Sequence, residues 1–156
     1  MTDALTVTPT GDRGVIIAQT FDAKAAPLFK TWTTPDLLKH WLLGPPGWTM
    51  TVCEVDLKPG GAYRYKWRNA EGTEIGLGGV YREVAVPSRL VATERFDPPF
   101  DQGEAVLTLM FDERDGRTTI TNTAVYATPE ARDGMLASGM ERGIKASYDR
   151  LAEMVR

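Results

Sequence analysis

The sequence has very little of the residues that hold metals and disulfides. Its 156 residues include one cysteine, Cys53, and one histidine, His40. A single cysteine forms no internal disulfide and is typical of a reducing compartment, so we expect a cytoplasmic protein. One residue of each type is too few for the usual zinc, copper or iron sites. We therefore expect no metal and no other cofactor.

Three further absences exclude whole classes of function. No apolar run approaches the roughly 18 residues of a membrane span, and residues 1–10 lack the basic start and apolar core of a signal peptide. The 18 basic and 21 acidic residues give a net charge of −3, so we expect no nucleic-acid partner. The G-x-S-x-G pattern of a nucleophile elbow is absent.

The remaining composition is that of an ordinary globular chain, 42% hydrophobic and 25% charged. Its length predicts one domain over residues 1–156, with the polar residues 1–12 as a loose lead-in. A chain of this size buries about 70% of the surface that its unfolded state exposes, so it does not need disulfide bonds to fold.

Hydrophobic periodicity changes twice along the chain. A first strand over residues 13–21 precedes two short helices at about 24–32 and 35–42, for which Asp22 and Thr34 are candidate N-caps. Period-two patterns separated by turn residues then predict six strands, at about 48–57, 61–69, 74–86, 88–97, 104–112 and 117–127.

The C-terminal segment returns to helical spacing. Thr128-Pro129-Glu130 is a helix-start pattern. It precedes apolar residues three and four apart, which predict one amphipathic helix of about 25 residues: Leu136, Met140, Ile144, Ser147, Leu151, Met154 and Val155. Such a helix must bury its apolar stripe on the sheet.

These elements predict an α+β fold, a curved antiparallel sheet of about seven strands wrapped around a long C-terminal helix. Curvature needs positions without side chains, and Gly76, Gly78 and Gly79 supply them within one strand. We expect bulges or bends there.

Several short sequence motifs, in a fixed order from about residue 21 to residue 151, resemble those of a known family. They include Gly47-Trp48-Thr49-Met50, Val55-Asp56-Leu57-Lys58-Pro59-Gly60-Gly61, Gly79-Val80-Tyr81-Arg82-Glu83-Val84 and Pro87-Ser88-Arg89-Leu90-Val91. The chain resembles the helix-grip superfamily, also called SRPBCC, which includes START domains and the birch-pollen allergen. Within it, the chain is similar to the family named after the C-terminal domain of the activator of heat-shock protein 90 ATPase. Leu42 departs from that family, which often has a second aromatic residue after Trp41.

The resemblance implies a cavity between the concave face of the sheet and the C-terminal helix, suited to an apolar small molecule. Alternation places Tyr63, Tyr65 and Trp67 on one strand face and the cations between them on the other. The aromatic row either forms a cavity wall or packs as ordinary core against the helix. Tyr81 shares that face and the same two interpretations.

Glu94 is the strongest candidate for chemistry. It shares parity with Leu90, Ala92 and Phe96. If that parity faces inward, its carboxyl lies in an apolar cavity, its pKa rises, and it can act as an acid or a base. The alternative is a surface position beside Arg95, which the residue type favours because glutamate is seldom buried.

The other candidate ligand-binding residues are Leu77, Phe96, Asn122, Leu136, Met140 and Ile144. His40, Cys53 and Asp56 could also carry chemistry, but an exposed or packed histidine, an inert strand thiol and a turn-capping aspartate are the plainer interpretations. No residue is assigned a catalytic role beyond the candidate Glu94.

Three functions fit these observations. The first is binding or sequestration of a small hydrophobic or aromatic molecule. The second is an enzyme resembling polyketide cyclases or aromatases, with Glu94, Tyr65 and Trp67 moving protons and orienting substrate. The third is a co-chaperone that stimulates a heat-shock protein 90 ATPase. A sheet edge or a helix face could pair two copies, but no sequence feature requires a homodimer.

Overall fold

A computed structural model describes residues 4–156 of the chain. Within these residues, eight antiparallel strands form a sheet in the order β1-β2-β8-β7-β6-β5-β4-β3, and four helices accompany it. The strands are β1 Thr6–Thr10, β2 Gly14–Phe21, β3 Trp48–Val55, β4 Ala62–Asn69, β5 Glu74–Ala85, β6 Arg89–Phe96, β7 Ala105–Arg114 and β8 Arg117–Val125. The predicted α+β architecture and its six strands after residue 48 are confirmed.

The sheet has one strand more than predicted. β1 lies inside the segment expected to be a loose lead-in, and it pairs with β2 from Thr6 opposite Ala18 to Thr10 opposite Gly14. This strand is hard to predict because an edge strand can be mostly exposed and polar, and four of its five residues are exposed.

Two short helices follow β2, the first in contact with β7 and the second with β3. They are α1 Ala25–Thr33 and α2 Pro35–Trp41. Pro35 occupies the first turn of α2 as predicted, but Thr34 makes no side-chain capping bond. Nor does Asp22 stand at the N-cap of α1, which is Lys24. A carboxylate from β7 takes the capping role instead, because Glu113 Oε1 accepts a 2.8 Å hydrogen bond from the Ala25 N–H.

The C-terminal segment forms two helices, where the sequence predicted one. They are α3 Pro129–Ala137 and α4 Met140–Val155. Gly139 separates them with a φ of 84°, a left-handed conformation that an α-helix does not contain. The predicted start of α3 is confirmed, since the Thr128 side chain accepts from the Ala131 N–H. α4 alone is about 24 Å long at 1.5 Å per residue.

The core lies between the concave face of the sheet and the helices α1, α2 and α4. Trp41 is fully buried, and its Nε1 donates a 3.1 Å hydrogen bond to the Thr31 carbonyl. Trp32 and Tyr148 pack against it, with ring centroids 4.7 and 6.4 Å away. This aromatic cluster joins α1 and α2 to α4.

The β-bulges of the sheet do not lie at the three glycines, where bulges or bends were expected. Register shifts occur between Met50 and Val52 and between Tyr81 and Glu83, whereas β4 and β5 stay in register across the glycines. The glycines permit close approach instead. A Cβ on Gly79 would stand 1.9 Å from the Thr93 carbonyl oxygen, and one on Gly76 would stand 2.4 Å from Asp97 Oδ2.

Candidate functional site

A cavity of about 630 Å³ lies between the concave face of the sheet and helices α3 and α4. Strands β2 and β4 to β8 form its floor, and the segment after α2 and the loop between β6 and β7 contribute to its rim. Its wall is predominantly apolar, with side chains that include Ile17, Trp32, Leu42, Trp48, Ile75, Leu107, Ala124, Met135 and Ile144.

The structure brings together most of the predicted ligand-binding residues. Those on the cavity wall are Trp67, Leu77, Glu94, Phe96, Asn122, Met140 and Ile144. Tyr63, Tyr65, Tyr81 and Leu136 are not on it. Leu136 is partly buried and packs against the core.

The three tyrosines form a packed cluster of their own. The ring of Tyr63 lies 5.1 Å from that of Tyr65 and 5.3 Å from that of Tyr81, measured between centroids. All three are buried, and burial raises their pKa values, that of Tyr81 to about 12. For these residues the core interpretation of the aromatic row describes the structure.

Trp67 is the member of the row that reaches the cavity. Its Nε1 donates a 2.7 Å hydrogen bond to the Leu42 carbonyl, which fixes the indole beside the segment after α2. Leu42 itself lies on the wall, at the position where the family often has a second ring.

Glu94 faces the cavity, which corrects the surface position favoured by its residue type. Its neighbour Arg95 is the exposed residue and forms an ion pair with Asp101 at 3.0 Å. Within residues 4–156 the Glu94 carboxyl has no hydrogen-bond partner, and burial is the cause that raises its pKa to about 7. A carboxyl in this state can hold or release a proton near neutral pH.

Asn122 is the second unpartnered polar group. It lies on β8 between Ile17 of β2 and Leu109 of β7, and its side chain is part of the cavity wall. Its Oδ1 is buried and accepts no hydrogen bond from the described residues. Because an unsatisfied buried amide oxygen is costly, this atom is a candidate ligand contact.

Sequence reasoning missed two tyrosines on the wall. Tyr126 and Tyr148 are only 7% and 4% exposed, and burial raises the pKa of each. The Glu94 charge adds to the effect of burial on the pKa of Tyr126. The strand predicted over residues 117–127 already included Tyr126, and period two places it on the face of Asn122 and Ala124, so parity was the signal that could have found it.

The rim is held by contacts from α4 to the loop after α2. The Ser147 hydroxyl accepts a 2.9 Å hydrogen bond from the Gly44 N–H, and Arg150 Nη1 donates to the Gly44 carbonyl at 2.7 Å. Gly143 faces the same loop, with Pro45 Cδ 3.4 Å from where its Cβ would be. These contacts tie α4 to the mouth of the cavity.

The remaining candidates lie elsewhere. His40 and Asp56 are exposed, and Asp56 lies 3.7 Å from the Lys58 ammonium. Cys53 is half-buried, and burial raises the pKa of its thiol. Arg64, from the cationic row, forms a bidentate pair with Asp97. No cluster of His, Cys, Asp or Glu suited to a metal ion occurs within residues 4–156.

A second depression, of about 760 Å³, lies on the other side of α4. Its lining is mostly charged and includes Asp22, Glu141, Lys145, Asp149, Glu153 and Arg156. Lys145 pairs with Asp149 and Arg156 with Glu153. Because these charges pair along the exposed face of α4, the depression is a weaker candidate for a ligand than the apolar cavity. None of the helices in the described part of the chain combines the length and apolarity of a membrane span.

The sheet, the C-terminal helices packed on its concave face and the cavity between them define a helix-grip protein. The sequence profile of the family described as Activator of Hsp90 ATPase homolog 1-like protein matches residues 22–156. The chain belongs to this family.

Solved structures support the same fold. A protein from Rhodobacter sphaeroides is 34% identical, with a TM-score of 0.91 and 97% of each chain covered. A protein from Mycobacterium smegmatis is 24% identical, with a TM-score of 0.87 and 98% of each chain covered. One from Nitrosomonas europaea is 23% identical, with a TM-score of 0.81 over 93% of this chain and 95% of that one. No curated protein matches the chain.

Proposed function

We propose that the protein binds or sequesters a small apolar or aromatic molecule in the cavity between the sheet and helices α3 and α4. The observation that carries this proposal is an apolar wall interrupted by polar groups without partners, chiefly Glu94 and Asn122. The volume, about 630 Å³, falls within the range of roughly 300 to 1,000 Å³ typical of small-molecule sites.

The unpartnered groups favour a ligand over an empty cavity. A buried polar group without a hydrogen bond costs roughly 1–3 kcal/mol, and a bound molecule that supplies the partner recovers part of this cost. The apolar wall supplies the larger share of affinity, because it removes ligand surface from water at about 25 cal/mol per Å².

Cavity filling tests the proposal directly. Leu107 of β7 lies on the cavity wall, and the adjacent Thr108 points to the opposite face of the sheet. We expect the wild type to bind the apolar dye anilinonaphthalene sulfonate, with a rise in dye fluorescence. Leu107→Trp should abolish that rise, and the control Thr108→Trp should preserve it.

The contrary outcome is equally clear. Equal dye binding by Leu107→Trp and the wild type, with both folded by circular dichroism, places any bound dye outside the cavity and contradicts the proposal. Native mass spectrometry of gently purified protein adds a second measurement, in which a retained small molecule is expected for the wild type and not for Leu107→Trp.

The Glu94 carboxyl favours a second candidate, an enzyme that moves a proton on a polyketide-like or other aromatic substrate. A pKa of about 7 is close to that of an efficient acid or base at neutral pH. Glu94→Gln keeps the size and shape of the side chain but removes its ability to transfer a proton. Unchanged turnover of a substrate by Glu94→Gln would exclude this role.

The family description supports a third candidate, stimulation of a heat-shock protein 90 ATPase. The test is the ATPase rate of the chaperone from the same organism with and without this protein. An unchanged rate, together with no capture of the chaperone in a pull-down, would exclude it.

A further inference from the structure

The cavity has polar groups at two separated places. One is the end formed by Glu94 and Tyr126, and the other is Asn122 further along the sheet. Between them the wall carries apolar side chains, among them Leu107 and Ala124. The distance between these two places is set by the register of the strands and can be estimated from that register.

Glu94 and Tyr126 stand on either side of one strand. Glu94 of β6 is opposite Ala105 of β7. Val106 of β7 is opposite Val125 of β8, and continuing this register by one residue places Tyr126 opposite Ala105 on the other side of β7. Tyr126 is 7% exposed. The Glu94 charge acts on the pKa of Tyr126, which is consistent with their closeness.

Asn122 lies deeper, opposite Leu109 of β7, four residues beyond Ala105. With about 3.3 Å per residue along a strand and about 4.8 Å between strands, the Cα atoms of Glu94 and Asn122 are ~16 Å apart. Both side chains point to the concave face. Because both side chains stand roughly perpendicular to the sheet, their tips are about as far apart as the Cα atoms, and one hydrogen bond at each end leaves roughly 10 Å for the ligand to span.

We propose that the ligand is an elongated aromatic or apolar molecule with a hydroxyl-type group at each end, one bound between Glu94 and Tyr126 and the other at Asn122. This inference rests on the proposed function and specifies its ligand class. A hydroxyl both donates and accepts, so it can pair with either atom of the Asn122 amide and with the carboxyl or phenol at the other end.

A matched series of biphenyls tests the two-ended arrangement. The probes are 4,4′-dihydroxybiphenyl, 4-hydroxybiphenyl and biphenyl. Summed covalent bond lengths place the two oxygens of the diol roughly 10 Å apart. Affinity is measured by displacement of anilinonaphthalene sulfonate from the full chain. We expect the diol to bind roughly tenfold more tightly than the mono-ol, and the mono-ol more tightly than biphenyl.

Variants then assign each hydroxyl to its end. Asn122→Leu, or Asn122→Ala if the larger side chain disturbs folding, should reduce the advantage of the diol over the mono-ol to about the statistical factor of two. Glu94→Leu combined with Tyr126→Phe should do the same. The control Thr123→Val, on the opposite face of β8, should leave the advantage unchanged.

Three outcomes separate this inference from the proposed function. A wild-type diol-to-mono-ol ratio within twofold overturns the inference, and so does a tenfold ratio that survives Asn122→Leu. In both cases the proposed function stands if Leu107→Trp still abolishes dye binding. If neither the dye nor any biphenyl binds the wild type, the proposed function falls together with the inference.

Discussion

The Tyr63 hydroxyl donates a 2.6 Å hydrogen bond to the main-chain carbonyl oxygen of Thr93. The bond joins β4 to β6 across the intervening strand β5, where the paired residue is Gly79, which has no side chain. The hydroxyl is therefore used within the sheet, and Tyr63 stabilises the wall without lining the cavity.

Tyr63→Phe should lower the free energy of unfolding by about 1 kcal/mol, because the buried Thr93 carbonyl loses a hydrogen bond. Urea unfolding monitored by circular dichroism measures the change. Dye binding should equal that of the wild type. A variant with unaltered stability and weakened dye binding would show that the hydroxyl serves the ligand.

Glu94 should make the protein less stable as pH rises toward neutrality. Its pKa is about 7 in the folded chain against an ordinary 4.5, so between these values the unfolded state releases a proton that the folded state retains. The stabilisation is complete below pH 4.5, declines through the interval and is lost above pH 7. The total is about 3 kcal/mol.

Urea unfolding of the wild type and Glu94→Gln at pH 5 and pH 8 checks this dependence. The wild type should lose more stability than Glu94→Gln between the two values. Glu83→Gln removes an exposed carboxylate that pairs with Arg89 and is the matched control. An identical pH dependence in the wild type and Glu94→Gln would show that the carboxyl is already ionised at pH 5.

Gly79→Ala should destabilise the sheet by about 3 kcal/mol or more. The new Cβ would meet the Thr93 carbonyl oxygen at 1.9 Å and its carbon at 2.6 Å, and backbone atoms cannot move aside as a flexible side chain can. Thermal unfolding measures the loss. A midpoint within two degrees of the wild type would show that β5 and β6 are further apart than the structure has them.

Gly143→Ala should have the opposite effect and stabilise α4 by about 0.5–1 kcal/mol. The site tolerates a Cβ, because its nearest neighbour would be Pro45 Cδ at 3.4 Å. Gly139→Ala is the matched comparison in the same segment. It should be destabilising, because alanine disfavours the φ of 84°. Stabilisation by both changes would indicate that α3 and α4 join into one helix.

The sequence allowed the strands after residue 48 to be predicted because alternation and turn residues are local signals. It did not allow the helix break to be predicted, since Leu136, Met140 and Ile144 keep their spacing across Gly139. Only the conformation of that glycine divides the segment. Local periodicity predicts which residues share one face of a helix. It does not predict whether the helix is continuous.

The candidate site was predictable in part for a related reason. Parity correctly grouped Tyr63, Tyr65 and Trp67 on one face, but only Trp67 lies on the cavity wall. Which part of a face borders the cavity depends on where the helices lie along the strands, and that is a long-range property. For Glu94, the general rarity of buried glutamate favoured the surface, and the tertiary environment reversed that expectation.

The pairing of β2 with β8 has a consequence for the assembly of the fold. Gly14 is opposite Val125 and Phe21 is opposite Thr118, so the second strand of the sheet has its central partner only near the end of the chain. During synthesis, β2 cannot pair with β8 until β8 has left the ribosome. Bringing these two strands together closes a loop of about a hundred residues, which slows folding. The meander from β3 to β8 can form earlier, with an unpaired edge at β8 that β2 then covers.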